Sequence, residues 1–164
     1  MTYKVDMSLP PQEVLLGQIN YENKTSFTLE QVGFREDGVH ETTRYDKDTM
    51  IWLEAKKGTY GLRRIYYDRI DLAEFLGERV MEIDVSKAGY KETHLLIPEV
   101  LKRLGINLDR TDIISDIVHP GVREFDIRIS PRSIVYRGTI RVRYTNFLTD
   151  RFSKTILDGF QLTT

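Results

Sequence analysis

The chain has 164 residues, and 24 Lys and Arg stand against 25 Asp and Glu, for a formal net charge of -1. Because positive and negative charges nearly cancel, the chain has no large positive field. This disfavours a dedicated duplex-DNA binder and a protein held at an anionic membrane. The absence of Cys excludes disulfides, thiolate nucleophiles and Cys-type metal sites, and no apolar run approaches the length of a membrane span. The first residues lack the apolar core of a signal peptide, so we expect an unprocessed chain.

An internal duplication is the most informative feature of the sequence. A pattern in the first half recurs in the same order in the second, at a nearly constant spacing that changes only where loops are expected. The best matches are Asp6 with Asp84, Ile19 with Val100, and Gly61 with Gly138. We therefore predict two tandem repeats, over 1–76 and 77–147, and a C-terminal extension over 148–164. The alternative is a chance similarity between two α+β stretches.

The first repeat is predicted to run strand, helix, strand, strand. Its opening segment alternates apolar and polar residues, as a half-buried strand does, and Pro10 and Pro11 suit the start of a helix. Apolar residues then recur at helical spacing. In chain order we predict a strand over 4–8, a helix over 12–21, a capped turn at 28–31, a hairpin turn at Asp37-Gly38, and strands over 50–56 and 62–67.

The second repeat is predicted to follow the same order. Pro98 must lie in the first turn of its helix, and Gly105 is a candidate for the left-handed residue after the helix. The predicted elements are a strand over 81–86, a helix over 97–104, a capped start at 109–112, and strands over 125–129 and 140–144. The fold class is thus α+β, with two β-α-β-β-type repeats, each packing a helix on a small, mainly antiparallel sheet.

No catalytic or metal-binding pattern is found in the sequence. His40, His94 and His119 are far apart, and no pair has the helical or hairpin spacing of metal ligands. A Gly-x-Ser-x-Gly turn that would expose a nucleophile is also absent. We predict a protein that is not an enzyme and holds no metal or cofactor.

Arginine and tyrosine are interleaved on the predicted strands of both repeats. Such a pattern can bind single-stranded nucleic acid by stacking and phosphate contacts, but it is also typical of protein interfaces. Alternation places Arg141 and Arg143 on the solvent face, and acidic residues lie close in sequence, so we favour a polar sheet face or an interface. The residues concerned are Arg63, Arg64, Tyr66, Tyr67, Tyr136, Arg137, Arg141, Arg143 and Tyr144.

The C-terminal extension is too apolar for a purely disordered tail, since it contains Phe152, Ile156 and Phe160. It can pack on its own chain or reach a neighbouring subunit. Together with Arg141 and Arg143, these three residues are the predicted interface.

The repeated pattern resembles a repeat of virion structural proteins from tailed bacteriophages. The resemblance rests on 25–32, 53–61 and 67–72 in the first copy, and on 96–101, 105–108 and 133–138 in the second. The first copy has Asp68 where the repeat usually has Asn, and the second lacks the Arg-x-Asp continuation after Tyr144.

The resemblance implies a structural component of the virion, made in the host cytoplasm. Capsid decoration, neck or collar, and tail accessory positions are all open. The implied partners are other virion proteins and further copies of this chain. From the charge balance we expect no membrane and do not favour nucleic acid. The alternative is a single-stranded nucleic-acid-binding protein that uses the Arg/Tyr-rich strands.

Overall fold

The computed structural model of the chain describes residues 3–56, 60–84, 90–119 and 121–145. Its helices are α1 (Pro11–Asn23), α2 (Leu72–Leu76) and α3 (Ile97–Leu104). Its strands are β1 (Val32–Glu41), β2 (Thr49–Ala55), β3 (Leu62–Tyr67), β4 (Ile70–Asp71), β5 (Met81–Asp84), β6 (Ile113–Ile114), β7 (Glu124–Ile129), β8 (Tyr136–Arg137) and β9 (Thr139–Thr145). Short 3-10 turns at Arg44–Asp46, Thr93–Leu96 and Arg110–Asp112 precede β2, α3 and β6. The predicted α+β class is confirmed.

The strands form three sheets with mostly antiparallel pairing. A 3-stranded antiparallel sheet has the order β1-β2-β3, and a 4-stranded sheet has the order β5-β9-β7-β6. In the larger sheet β6, β7 and β9 are antiparallel neighbours, whereas β5 lies parallel to β9. The short parallel pair β4 and β8 joins the end of the first half to the connection between β7 and β9.

Both predicted long helices are confirmed, with the predicted prolines at their starts and the predicted Gly105 at the end of the second. Pro11 is the first residue of α1, where no backbone donor is needed, and Lys24 follows the helix in the left-handed region with φ 54°. Pro98 lies in the first turn of α3, and Gly105 ends it with φ 67°. Each helix buries its apolar side, which includes Ile19 in α1 and Val100 in α3.

Both predicted hairpins are also confirmed. β2 and β3 pair with Ile51 opposite Ile65, and β7 and β9 pair with Ile127 opposite Ile140. Buried residues alternate with exposed ones in β7 and β9, as expected for strands with one face on the core. In the first hairpin Thr49 and Ile51 of β2 are buried, and β3 has no fully buried residue. The dry and wet faces of the β7–β9 hairpin therefore follow the sequence alternation.

Two local predictions are wrong. Residues 4–8 form no strand, because Asp6 accepts hydrogen bonds from the backbone and hydroxyl of Ser8 at 3.0 and 2.6 Å and closes a local turn. Asp37-Gly38 is not a hairpin turn. It lies in a bulge inside β1, between Phe34 and Val39, where Gly38 has φ 77°.

One hydrophobic core serves the whole described chain. Its cluster of buried residues combines Ile19, Ile51 and Leu72 from the first half with Val100 and Val142 from the second. Packing across the two halves thus supplies burial that neither half could complete alone. Within the described residues no helix combines the length and apolar character needed to cross a membrane.

Candidate functional site

The outer face of the β1-β2-β3 sheet carries a tryptophan between two arginines. Alternation along β2 places Trp52 on the face opposite the buried Ile51, and the register sets Trp52 beside Arg64 of β3. The guanidinium carbon of Arg64 lies 4.6 Å from the centre of the Trp52 ring, and that of Arg35 lies 6.0 Å away. Both distances are within the range of cation–π attraction. Arginine and tryptophan are the residue types that most often dominate protein interfaces.

Apolar and aromatic side chains extend this surface along β2 and β3. Met50 lies opposite Tyr66 in the register, and Leu62, near the other end of β3, is 51% exposed. The Tyr45 and Tyr66 rings meet edge to face at 4.9 Å. We call this surface the Trp52 face, defined by Arg35, Tyr45, Met50, Trp52, Leu62, Arg64 and Tyr66.

Tyr45 is held outward in a strained backbone conformation. Its φ is 59°, in the left-handed region, and 77% of its surface is exposed. A bulky residue adopts this conformation at a cost of about 1 kcal/mol or more. Strain at an exposed aromatic residue that packs on Tyr66 of the Trp52 face is a reason to expect that this face makes contacts.

The structure places Arg141 and Arg143 on the solvent face of β9, as predicted, and pairs both with carboxylates. Arg143 lies 2.7 Å from Glu124 and 3.8 Å from Glu82, on the strands to either side. Arg141 lies 3.7 Å from Asp126. The two side chains remain 63% and 44% exposed, for Arg141 and Arg143 respectively. This surface is close to neutral, and it lies on a different sheet from the Trp52 face.

The other predicted interface residues, Phe152, Ile156 and Phe160, lie outside the described residues.

The Arg/Tyr pattern is divided among separate environments. Arg137 is held by Asp48 at 2.8 Å and Asp71 at 3.4 Å. Tyr136 is fully buried and Tyr67 is partly buried, with its hydroxyl bonded to a backbone carbonyl. Burial raises the pKa of both phenols, so they remain neutral. The pattern therefore does not form one continuous basic and aromatic surface.

His94 forms a small polar cluster with Ser115 and Glu92 that sequence reasoning did not predict. His94 Nδ1 lies 2.7 Å from Ser115 Oγ and 3.1 Å from a Glu92 carboxylate oxygen, and Ser115 Oγ donates to that carboxylate at 2.8 Å. The bond from Ser115 lowers the pKa of Glu92. In a catalytic triad the serine and the acid bind opposite ring nitrogens, whereas here both lie at Nδ1. The arrangement therefore cannot relay a proton from serine through the ring to the acid.

Metal ligation finds no support among the residues that the structure describes. No group of three or more His, Asp or Glu side chains there could hold an ion. His40 lies 3.4 Å from Asp37, and that pair is exposed at the bulge of β1.

A cavity of about 300 Å³ opens between α1 and the end of β3. Its floor is apolar, with Val14 and Leu15 from α1, while Lys47 and Asp68 at its rim form an ion pair at 2.7 Å. The hydrogen bond from Lys47 lowers the pKa of Asp68, which keeps the carboxylate charged. This volume is at the lower limit for small-molecule sites, and the rim charges neutralise each other.

The Trp52 face was missed by sequence reasoning, although its signal was present. Trp52 alternates with Ile51 and Leu53 within the predicted strand over 50–56, a position on the opposite face from those two apolar residues. A single tryptophan at such a position is unusual, because aromatic residues that large are normally well buried.

A family model matches residues 4–164 of the chain. The chain belongs to the family of unknown function DUF7941. No curated protein and no solved structure matches it. The match extends over both halves and through the C-terminal extension, so the family is defined by nearly the whole chain and not by one half.

Proposed function

We propose that the chain is a non-enzymatic structural component of a tailed-bacteriophage virion, which assembles in multiple copies with other particle proteins. The resemblance of its repeated pattern to virion structural proteins supplies the biological setting. The Trp52 face is the structural observation that carries the proposal, because it offers a rigid aromatic and cationic surface built on strands.

The physical chemistry of the Trp52 face suits a protein partner. Trp52 is positioned by the β2 backbone and by Arg64, so little conformational freedom remains to be lost on binding. Leu62 and Tyr45 at its margins are already exposed, and covering them would remove apolar surface from water. Interfaces commonly combine such an aromatic centre with arginine.

Further contacts are proposed at the predicted interface residues. Arg141 and Arg143 are exposed enough to exchange their internal partners for carboxylates of a neighbouring subunit. The apolar residues Phe152, Ile156 and Phe160 would bury against the same chain or an adjacent one. These contacts are secondary to the Trp52 face, because an exposed and already paired arginine contributes little to binding.

We also propose that the two halves are diverged repeats, over 1–76 and 77–147. In each half a helix precedes an antiparallel strand order: β1-β2-β3 follows α1, and β6-β7-β9 follows α3. Ile19 and Val100 are buried on the two helices, and Gly61 and Gly138 directly precede β3 and β9. The match fails at the first pair, because Asp6 closes a turn whereas Asp84 ends a strand.

Presence of the chain in the particle can be tested directly by mass spectrometry of purified virions from the phage that encodes it. The expected result is a stoichiometric presence in particles that remain intact in a density gradient. Absence from such particles would overturn the proposal.

A substitution tests the role of the Trp52 face. Trp52→Ala removes the central aromatic ring and should lower the number of copies per particle at least tenfold, since truncation of such a residue typically costs about 2 kcal/mol or more of binding. Phe75→Ala is the matched control. Phe75 is also aromatic, 49% exposed and 5.5 Å from an arginine, Arg79, but it lies on α2 away from the sheet face. An equal loss with both variants would show that the effect is not specific to the face.

A second candidate function is single-stranded nucleic-acid binding, and Trp52 between two arginines is the observation that favours it. The chain has only one Trp, so its intrinsic tryptophan fluorescence reports on this face alone. Quenching by a short oligonucleotide that disappears with added salt would support nucleic-acid binding over assembly. A gel shift abolished by Arg141→Glu with Arg143→Glu would instead place such binding on β9.

A further inference from the structure

One side of β3 has free backbone hydrogen-bonding groups. The Ala55 N–H bonds the Gly61 carbonyl at 3.0 Å, which fixes the hydrogen-bonding phase of the β2–β3 ladder. Bonded and non-bonded pairs alternate in an antiparallel ladder, so every second residue of β3 directs its N–H and C=O away from β2. These residues are Leu62, Arg64 and Tyr66. Among the described strands none pairs with that side.

The free side of β3 lacks the usual protection of an edge strand. β3 keeps a regular register with β2 along its whole length and contains no proline. The opposite edge of the sheet is different, because the bulge between Phe34 and Val39 interrupts β1. Bulges, prolines and charges are the devices that keep edges from pairing. Only the charges of Arg63 and Arg64 oppose pairing at β3, so the choice of partner depends on what faces them.

Side-chain charge favours an axis through Ile65 over an axis through Arg64 for pairing with a second copy. In a two-fold antiparallel pair, a residue whose backbone groups point outward must lie opposite another such residue of the second copy. Because these are every second residue of β3, the two-fold axis must pass through a residue and not between two residues. An axis through Arg64 would set two arginines directly opposite each other, which is unfavourable. An axis through Ile65 sets Arg64 opposite the partner's Tyr66 and Arg63 opposite the partner's Tyr67. Arg64 then faces an aromatic ring on the outer face, and Ile65 meets itself in the close, non-hydrogen-bonded position.

We propose that two copies of the chain associate by antiparallel pairing of β3 with β3, with the two-fold axis through Ile65. The two three-stranded sheets then form one continuous sheet, and the Trp52 faces of both copies lie side by side. This pairing gives the proposed assembly role a partner, which is a second copy, and a geometry. The purpose of the pairing rests on the proposed function, but the pairing itself does not.

Disulfide trapping tests the register, and the lack of native Cys makes the result unambiguous. Ile65→Cys places two thiols across the axis at about 4.5 Å between Cα atoms, a distance that a disulfide spans, so mild oxidation should yield a covalent dimer. Leu62→Cys is the matched control on the same strand. In this register the two Leu62 positions are about 20 Å apart, and no covalent dimer should form. Equal trapping at both positions, or stronger trapping at Arg64→Cys than at Ile65→Cys, overturns the proposed register.

A backbone substitution tests whether the free edge makes the contact. Arg64→Pro removes an outward N–H and leaves the hydrogen bonds between β2 and β3 in place, because Arg64 lies in a non-bonded pair with Trp52. Sedimentation velocity at increasing concentration should show a dimer for the unsubstituted chain and at least a tenfold higher dissociation constant for Arg64→Pro. Arg64→Ala keeps the N–H and should weaken the dimer less. The inference is overturned if the unsubstituted chain stays monomeric at concentrations up to 100-fold above those of the disulfide-trapping experiment.

The outcomes separate this inference from the proposed function. A chain that is present in particles but monomeric, and not trapped by Ile65→Cys, overturns the β3 pairing alone. A chain that dimerises through β3 but is absent from particles overturns the virion assignment alone. If Arg64→Pro unfolds, as far-ultraviolet circular dichroism would reveal, the disulfide trapping by itself decides the question.

Discussion

The hydroxyl of Tyr67, at the end of β3, donates a 2.7 Å hydrogen bond to the carbonyl oxygen of Ile134 in the second half of the chain. Neighbouring groups repeat the connection. Arg69 donates to the carbonyls of Pro131 and Ser133 at 3.1 and 3.3 Å, and the backbone of Ile70 donates to Val135 at 2.8 Å. The end of the first sheet thus binds the backbone of 131–135 at several points, which fixes the orientation of the two halves.

Two tyrosine-to-phenylalanine substitutions should have different effects on stability. Tyr67→Phe leaves the Ile134 carbonyl without its donor and should lower the free energy of unfolding by about 1–2 kcal/mol. The Tyr136 hydroxyl is buried without a hydrogen-bond partner in the described structure, so Tyr136→Phe should leave the stability unchanged or raise it. Urea unfolding of both variants beside the unsubstituted chain measures the difference. A loss for Tyr136→Phe as large as that for Tyr67→Phe would contradict this account of the two hydroxyls.

The same two phenols predict a loss of stability in alkali. Burial raises the pKa of Tyr67 and of Tyr136 above the ordinary value of 10.0. Above pH 10 the unfolded chain releases these protons while the folded chain keeps them, so the unfolded state binds fewer protons and stability falls as pH rises. The slope is about 1.4 kcal/mol per pH unit for each buried phenol. Unfolding free energies measured from pH 9 to 12 should show a shallower slope for Tyr67→Phe than for the unsubstituted chain. Identical slopes would mean that Tyr67 ionises as readily in the folded state as in the unfolded chain.

Gly138→Ala should destabilise the protein more than Gly105→Ala. Both glycines have left-handed backbones, with φ 86° and 67°, which costs alanine about 1 kcal/mol at either position. A Cβ at Gly138 would also lie 2.8 Å from Asp71 Oδ1, the atom that accepts from the Glu74 N–H at the start of α2. Displacing that cap adds about 1 kcal/mol, whereas Gly105 has open space around it. Thermal unfolding should give a larger decrease in midpoint for Gly138→Ala, and equal decreases would argue against the contact with Asp71.

The shared core predicts one cooperative unfolding transition for the whole chain. Buried residues of α1 and β2 pack in the same cluster as those of α3 and β9, so neither half retains a complete core without the other. Separately expressed 1–76 and 77–164 should therefore show little protection from hydrogen exchange. Two resolved calorimetric transitions, or a folded fragment, would show that the two halves are independent domains.

The sequence predicted those parts of the fold that local signals determine. Pro98 and Gly105 mark the two ends of α3, and the alternation of Ile140 and Val142 with Arg141 identifies β9 and its wet face. Parallel pairing of β5 with β9 was not predicted, because it depends on contacts between residues far apart in sequence. The prediction of a strand at 4–8 was wrong for a different, local reason. Alternation around Asp6 fits a strand, but a hydrogen bond from Ser8 within the same segment prevails.

The candidate site was only partly predictable. Arg141 and Arg143 were placed correctly on an exposed face, but sequence alone did not predict that Glu124 and Asp126, on the neighbouring strand, would pair with them. Trp52 gained its significance from Arg35 and Arg64, which lie beside it only after β1, β2 and β3 have aligned. A surface composed of three strands has no signature in any one of them.

The parallel pairs have a consequence for how the chain reaches its native state. Ile70 pairs with Tyr136, and Met81 pairs with Val142. Neither strand pairing can form until almost all of the described chain has left the ribosome. The β1-β2-β3 sheet has only local pairings and can form much earlier. During synthesis, then, the first sheet and its open β3 edge are formed before the second half of the chain is complete, and crowded polysomes would favour encounters between nascent copies at that stage.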